Sequence, residues 1–204
     1  MAFITLVLGA SGSGKSASLR NFKRGELLLI GCATKPLPFQ NDLEAVYTDN
    51  YGEVLRAMAD TDCKTIVIDD SQFLMANEFM RRISEKGYEK FAEIGQHFWA
   101  LMANAAQLPN DKTVYFLHHT ELDANGNTKA KTIGKMLDEK ITLEGLFTTV
   151  IMAECADDGY YFITKSNGKN PVKTPMGMFK EERIPNDLKA VDNIIRNYYK
   201  NFIK

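Results

Sequence analysis

The sequence has few cysteines, no long apolar run and almost no net charge, and each of these shortages excludes something. The three cysteines, Cys32, Cys63 and Cys155, lie far apart without the spacing of a metal site, so we expect small buried side chains in a reducing compartment. No apolar stretch approaches the length of a membrane span, and the first residues enter a strand without the basic flank of a signal peptide. We therefore expect a cytoplasmic protein with no membrane partner.

The formal net charge of −1 gives the chain no general attraction to nucleic acids, so any contact with DNA requires a local basic patch. Two polar segments carry clustered lysines. The first holds Lys129, Lys131, Lys135 and Lys140, and the second holds Lys165, Lys169 and Lys173. Acidic residues dilute the first group, and a solvated loop is the usual role of such charge runs.

The 204 residues, of which 45% are apolar and 25% charged, suit one α/β domain, and we predict a single domain spanning residues 1–204. Residues 123–140 are polar and turn-rich, which indicates a mobile loop or a hairpin tip. Apolar runs predict strands at 3–8, 26–32, 43–48, 65–70, 113–117, 147–153 and 160–164, and helical spacing predicts helices at 51–59, 71–84, 88–107 and 186–204. This alternation predicts an α/β fold with a mainly parallel central sheet flanked by helices and a C-terminal β-hairpin.

The most informative stretch is GASGSGKS, which fits the G-x-x-x-x-G-K-[ST] pattern of phosphate-binding loops and lies between a predicted strand and a predicted helical stretch. Glycines let such a loop curl until its backbone N–H groups point at phosphate oxygens, and the following helix would turn its positive end to the same anion. Lys15 would reach the β- and γ-phosphates, and the Ser16 hydroxyl would bind Mg²⁺. The predicted ATP-binding residues are Gly9, Ala10, Ser11, Gly12, Ser13, Gly14, Lys15 and Ser16.

A second element is the apolar run TIVIDD, which ends in two acids at the ligand-facing edge of a parallel sheet. Asp69 would hold Mg²⁺ through a water opposite Ser16, although both acids could also cap the following helix. Asp70 projects from the same strand end and is a candidate for the group that orients the attacking water. Other candidates near the predicted edge strand are Glu44 and Asp49. Each of these three acids could instead be a solvated surface carboxylate.

The next predicted strand ends in His118 and His119, at an edge that also faces the ligand. Because successive strand residues point to opposite faces, we expect only one of the two side chains to face the site, where it would either sense the γ-phosphate or relay hydrolysis to a neighbouring loop. Both could instead be loop-edge histidines without a ligand. A zinc site is not supported, since no cysteine or acid completes a ligand set nearby.

Taken together, residues 9–16, 65–71 and 114–120 resemble the RecA-like ATPases, and most of all the short phage-encoded members that include single-strand annealing ATPases. Residues 131–147 and 173–178 also look like phage ATP-binding proteins. The resemblance implies a RecA-like P-loop NTPase fold over nearly the whole chain, with ATP and Mg²⁺ as cofactors. It further implies a ring or filament of identical subunits that acts on single-stranded DNA in phage recombination or replication, in the host cytoplasm.

The resemblance also implies roles for individual residues. It makes His119 the γ-phosphate sensor, residues 123–135 the DNA loop, and Lys165 or Lys169 the cation that reaches a neighbour's ATP. The chain departs from the family at the end of the second core strand, where those enzymes carry a water-activating Glu. Here that place reads Cys-Ala-Thr-Lys at residues 32–35, so the resemblance does not identify the base.

Three classes of function follow from these observations. The leading hypothesis is a Mg²⁺-dependent ATPase whose hydrolysis is stimulated by DNA. A small-molecule kinase would share the phosphate loop but needs an arginine-rich lid, and the arginines of this chain are scattered. An ATP-switched loader of another replication protein is the third class. The missing acid favours it, and its partner surface would be an exposed C-terminal helix.

Overall fold

The computed structural model describes residues 1–202, except for the side chain of Met136. The strands are β1 (Phe3–Gly9), β2 (Leu27–Gly31), β3 (Glu44–Tyr47), β4 (Thr65–Asp69), β5 (Thr113–Leu122), β6 (Thr128–Ala130), β7 (Thr149–Ala156), β8 (Gly159–Ile163) and β9 (Arg183–Pro185). In this part of the chain they form one nine-stranded sheet in the order β3-β2-β4-β5-β1-β7-β8-β9, with β6 paired to β5. The strands from β3 to β7 along this order are parallel, and β6, β8 and β9 add antiparallel pairs. The predicted parallel core and late hairpin are confirmed.

Helices cover both faces of this sheet. The α-helices of residues 1–202 are α1 (Tyr51–Asp60), α2 (Gln72–Arg81), α3 (Glu89–Gln107) and α4 (Leu188–Tyr198). The first three pack on one face and α4 packs on the other. Within the described residues, no helix has the length and apolar character needed to cross a membrane. The fold is therefore the α/β architecture that the alternation of apolar patterns predicts.

The alternation of side chains along the strands builds two separate cores. In β1, Leu6 and Leu8 pack under α1 to α3, whereas Val7 packs towards α4. The strands β2, β4 and β5 divide their apolar residues in the same way. Each fully buried side chain of this kind stabilises the fold by about 1.5–3 kcal/mol. Because both faces are covered, these strands read as continuous apolar runs rather than alternating ones.

The order of the central strands brings three chain segments to one edge of the sheet. β5 lies between β1 and β4, and Gly9 at the end of β1 is level with His119 on β5. Asp69 at the end of β4 is level with Gly31 at the end of β2. The loop after β1 and the end of β4 therefore flank the same stretch of β5.

The α-helix predicted directly after the phosphate loop is wrong. The chain makes one short 3₁₀ helix, Ser16–Leu19, and reaches β2 through a turn in which Gly25 has a φ of +80°. Leu19 and Phe22 are both buried in the core under α4, and their anchoring turns the chain off a helical path. A turn this short has little macrodipole, so anion binding would depend on loop N–H groups and on Lys15.

Two smaller expectations also change, and one is confirmed in part. Cys155 is exposed rather than buried, because it lies where β7 and β8 extend beyond the covered part of the sheet. Residues 123–127 form the tip of the β5–β6 hairpin, which is one of the two alternatives predicted for residues 123–140, and a short π-helix follows. The apolar side of α4, including Val191 and Ile195, is buried against the sheet, so α4 is not the free partner surface that the loader hypothesis requires.

A buried carboxylate holds α4 to the starts of the central strands. Asp192 Oδ1 accepts hydrogen bonds from Thr113 Oγ1 at 2.6 Å and from the hydroxyl of Tyr115 at 2.8 Å. Its Oδ2 accepts from Thr65 Oγ1 at 3.0 Å and from Arg196 Nε at 2.7 Å. This cluster joins α4 to β4 and β5 at the end of the sheet opposite the phosphate loop.

We expect Asp192→Ala to lower the free energy of unfolding by about 3 kcal/mol, because it removes the acceptor of Arg196 Nε and of three buried hydroxyl groups. Denaturant unfolding followed by circular dichroism measures the change. Asp60→Ala, at the exposed end of α1, is the matched control and should change stability by less than about 0.5 kcal/mol. Equal effects of the two variants would show that the cluster does not anchor α4.

Candidate functional site

The loop between β1 and the 3₁₀ helix has a backbone that only glycine adopts easily. Gly12 and Gly14 have φ values of +79° and +91°, in the left-handed region. A Cβ atom added to Gly14 would lie 2.8 Å from Cδ1 of Tyr160 and 3.3 Å from Nδ2 of Asn186. These two side chains therefore pack against the loop from behind and require glycine there for space as well as for φ.

Lys15 is buried inside the loop that it belongs to. Its Nζ donates to the carbonyl oxygens of Gly9 at 2.8 Å and Ala10 at 2.9 Å. Burial lowers the pKa of Lys15 to about 8, and the nearby carboxylates Asp70 and Asp69 oppose that effect only in part. The acceptors of this cation are neutral carbonyls, and phosphate oxygens would make stronger, charge-assisted bonds with it.

Ser16 and Asp69 face each other across the edge of the sheet. The Ser16 hydroxyl donates to Asp69 Oδ1 at 3.0 Å. Burial raises the pKa of Asp69 to about 6, with a further contribution from Asp70 and an opposing one from the Ser16 hydrogen bond. A hydroxyl and a carboxylate at this spacing fit Mg²⁺, which prefers oxygen ligands and keeps several waters. In residues 1–202 no group of three or more His, Cys, Asp or Glu could hold a metal ion.

Asp70 is held in a strained conformation by two basic side chains. Its φ is +56°, and no other non-glycine residue of the described chain has a positive φ. His119 Nε2 donates to Asp70 Oδ1 at 3.1 Å, and Lys35 forms an ion pair with Oδ2. Burial alone would raise the pKa of Asp70, but the bonds from His119 and Lys35 outweigh it and lower the pKa to about 2. Asp70 is therefore an ionised acceptor whose two oxygens are both engaged.

These groups surround one cavity of about 450 Å³. Its walls come from the phosphate loop, the segment after β2, the end of β4 and the outer part of β5. Tyr160 of β8 closes one side. The charged or polar residues that line it include Lys15, Ser16, Lys35, Asp70 and His119. The structure thus brings seven of the predicted site residues to one cavity, and Asp69 lies against Ser16 at its edge. The seven are Ser11, Gly12, Gly14, Lys15, Ser16, Asp70 and His119.

Sequence reasoning missed Lys35, Tyr160 and Asn186. The only local signal for Lys35 was its place after the second core strand, where an acid was expected and a lysine stands instead. Tyr160 and Asn186 follow Gly14 by 146 and 172 positions, and no short pattern marks them. Asn186 is almost fully buried, and its side-chain amide has no hydrogen-bond partner within the described residues.

The two consecutive histidines point to different surroundings. His118 is fully buried: its Nε2 donates to the carbonyl oxygen of Lys131 at 2.8 Å, and the Ser71 hydroxyl lies 2.9 Å from its Nδ1. Burial lowers the pKa of His118 to about 4, and His119 and Lys15 add to the effect. His118 is therefore neutral and links β5 to the start of α2, whereas His119 faces the cavity.

The lysines predicted to act on a neighbour's ATP do not lie at this cavity within one chain. Lys165 forms an ion pair with Glu182, and neither Lys165 nor Lys169 lines the cavity. The alternative acids Asp49 and Glu44 do not line the cavity either. Asp49 accepts from side chains of α2, and Glu44 lies on the edge strand β3 beside the thiol of Cys63.

The predicted DNA segment carries partly neutralised charges. Lys129 pairs with Glu121 on the adjacent strand and with Asp138. Lys135 lies 3.9 Å from Glu139, one helical turn away. These contacts leave the hairpin less basic than its lysine content indicates.

No protein-family model matches this chain, and no curated protein matches it either. Solved structures with a similar arrangement include the P4 protein from bacteriophage phi6 in complex with ADP, with a TM-score of 0.41 and 18% identity over 79% of this chain and 57% of that chain. Another is the pilus retraction motor PilT with bound ADP, with a TM-score of 0.43 and 13% identity over 97% of this chain and 52% of that chain. The chain therefore spans little more than half the length of either protein.

We expect His118→Gln to remove part of the pH dependence of stability. The pKa of His118 is about 4 in the folded protein and about 6.5 in an unfolded chain, so the unfolded state binds more protons between these values. As the pH falls from 6.5 to 4, the wild type should lose up to about 3 kcal/mol relative to the variant.

Denaturant unfolding of both proteins across this pH range measures the difference. The raised pKa of Asp69 also makes stability depend on pH, with the opposite sign. This contribution is the same in both proteins, so it cancels in the difference and leaves that of His118. A difference that stays constant with pH would contradict the buried neutral state of His118.

Proposed function

We propose that this chain binds ATP together with Mg²⁺ and hydrolyses it. The observation that carries the proposal is the 3.0 Å hydrogen bond from the Ser16 hydroxyl to Asp69, beside a buried lysine and a glycine loop. Phosphoryl transfer needs little covalent chemistry from the protein and depends on positioning and charge stabilisation. The site offers a loop for the phosphates, a cation and an oxygen site for Mg²⁺. Together these groups would supply both the positioning and the charge stabilisation.

Binding in this proposal begins with an exchange of acceptors at Lys15. Its Nζ leaves the carbonyl oxygens of Gly9 and Ala10 and donates to oxygens of the β- and γ-phosphates. The N–H groups of the glycine loop hold the same phosphates. Ser16 and Asp69 would hold Mg²⁺, which when bound supplies charge neutralisation on the β- and γ-oxygens.

The hydrolytic step joins a water oxygen to the γ-phosphorus. The bond between that phosphorus and the bridging oxygen breaks, and its electron pair stays on ADP. Asp70 is the acid that lines the cavity, so it orients the water and accepts its proton, which then passes to solvent. His119, on the strand between the loop and Asp69, lines the cavity and would contact the γ-phosphate through Nδ1 while its Nε2 keeps the bond to Asp70. Lys15 and His119 thus act as electrostatic groups and Asp70 as the base.

A second candidate is an ATP-switched binding protein with slow turnover. One observation favours it, since both oxygens of Asp70 are engaged by His119 and Lys35. Such a protein would bind ATP and ADP normally and release phosphate slowly. Nothing in the cavity favours the kinase hypothesis, because no arginine is among its lining residues in the described chain.

We further propose that the chain forms an oligomer that acts on single-stranded DNA in recombination or replication of a phage. Two observations support it: the resemblance of the motifs to RecA-like phage ATPases, and the direct continuity of β5 from His119 to the hairpin tip at residues 123–127. DNA bound at the tip would act on His119 through three residues of one strand. Lys165 and Lys169 are exposed and could reach a neighbouring subunit, once Lys165 leaves Glu182.

We expect the purified protein to release phosphate from ATP only with Mg²⁺ present, and Lys15→Ala and Asp69→Asn each to lower kcat/KM by at least about 100-fold. Lys15→Ala removes a positive charge that would stabilise the transferred phosphoryl group, and Asp69→Asn weakens the site that would hold Mg²⁺. Lys86→Ala, on the exposed connection between α2 and α3, is the matched control and should behave as wild type. Phosphate release that survives Lys15→Ala would rule out this site as its source.

We expect single-stranded DNA to increase the rate of ATP hydrolysis, with stimulation that falls as salt rises. The double variant Lys131→Ala, Lys135→Ala should weaken the stimulation while leaving the basal rate unchanged, because both side chains are exposed on the proposed DNA segment. Turnover measured across protein concentrations, with and without DNA, tests the DNA and oligomer proposals together. Turnover that responds to neither would contradict both.

A further inference from the structure

We propose that Lys35 is a γ-phosphate ligand supplied within the same chain, and that its transfer from Asp70 to the terminal phosphate frees Asp70 to hold the attacking water. This inference rests on the proposed ATPase function and deepens it. It assigns a second cation to the site besides Lys15 and makes its engagement depend on which nucleotide is bound.

The position of Lys35 supports the assignment. It lies four residues after β2, whose last residue is level with Asp69, and it lines the same cavity as Lys15 and Ser16. Its side chain is 54% exposed, whereas that of Asp70 is 3% exposed. The lysine therefore approaches from the open side of the cavity, where a terminal phosphate would enter, and has room to move.

The segment that carries Lys35 fixes its direction. The N–H of Cys32 bonds to the carbonyl oxygen of Asp69 at 3.0 Å, which ties the start of the segment to the end of β4. The N–H of Lys35 bonds to the carbonyl oxygen of Ala33 at 2.8 Å, in a tight turn. Pro36 follows at once and stiffens the backbone. The side chain, rather than the backbone, is thus the part that can change its partner.

The engagement of Asp70 gives this exchange a consequence. His119 donates to one oxygen of this carboxylate, and Lys35 is ion-paired with the other, so neither oxygen is open to a water. The side chain of Asp70 is almost fully buried, so the acid has little room to rotate away. Removal of Lys35 from Asp70 is therefore the simplest change that frees an oxygen of the base.

Charge decides which nucleotide removes Lys35. The terminal phosphate of ATP offers several charged oxygens, and Lys35 would make stronger bonds with them than with one carboxylate. ADP lacks that group, and its two phosphates lie within reach of the loop and Lys15. With ADP bound, Lys35 stays on Asp70. The pair therefore distinguishes ATP from ADP without a contribution from a neighbouring subunit.

Nucleotide affinity tests the proposal, with Mg²⁺-ADP and a non-hydrolysable ATP analogue measured by calorimetry on wild type, Lys35→Ala, Lys35→Gln and Lys35→Arg. We expect loss of the charge to weaken the ATP analogue about tenfold and to change ADP by less than about twofold. The rate of phosphate release should fall about 100-fold in Lys35→Ala and Lys35→Gln and recover in part in Lys35→Arg. Lys86→Ala is the matched control, and circular dichroism verifies folding.

Three results would overturn the role of Lys35. These are equal weakening of both nucleotides, no effect on either, or faster turnover in Lys35→Ala, which would mean that the lysine only restrains Asp70. Failure of the underlying function looks different: wild type would bind neither nucleotide. If wild type binds both and Lys15→Ala abolishes turnover while Lys35→Gln does not, the ATPase proposal stands and the Lys35 proposal fails.

Discussion

The hydrogen bond from Ser16 to Asp69 joins the ends of two strands that are not neighbours in the sheet. β5 lies between β1 and β4 and places His119 at the same edge. The two bonded residues are 53 positions apart, so their contact requires the correct strand order, register and cover on both faces. Asp70 follows Asp69 directly and inherits its position. Except for Lys35, which follows β2, the groups that we assign to phosphate chemistry therefore depend on this one arrangement of three strands.

Much of the fold could be predicted from the sequence, because the central strands are buried on both faces and read as unbroken β-branched and apolar runs. The helix after the phosphate loop could not, since its shortening results from burial of Leu19 and Phe22 under an α-helix some 170 positions later. The anchoring of that helix by Asp192 was also invisible. From sequence alone, a single acid on an amphipathic helix is expected to be solvated. Its buried position becomes clear only when the strands that carry Thr65 and Thr113 are known to lie beneath it.

The candidate site likewise has residues that could be predicted from the sequence and residues that could not. The glycine loop, Lys15 and the paired acids belong to short motifs whose chemistry requires those residue types at fixed spacing, so local sequence was sufficient to propose them. Lys35 has no such motif, and its meaning arises only from the ion pair with Asp70. The strained backbone of Asp70 and the packing of Asn186 behind Gly14 likewise depend on distant segments. The chemistry of the short motifs could thus be predicted from the sequence, whereas the engagement of Asp70 by other side chains could not.

All the proposed roles require that a triphosphate occupies the loop and that Ser16 and Asp69 hold the Mg²⁺ bound with it. A crystal structure of the protein with Mg²⁺ and a non-hydrolysable ATP analogue tests this directly. We predict the β- and γ-phosphates within the glycine loop, Lys15 Nζ on their oxygens, and Mg²⁺ between the Ser16 hydroxyl and the side of Asp69. A nucleotide bound elsewhere, or a loop in which Lys15 keeps its carbonyl partners beside the bound analogue, would contradict it.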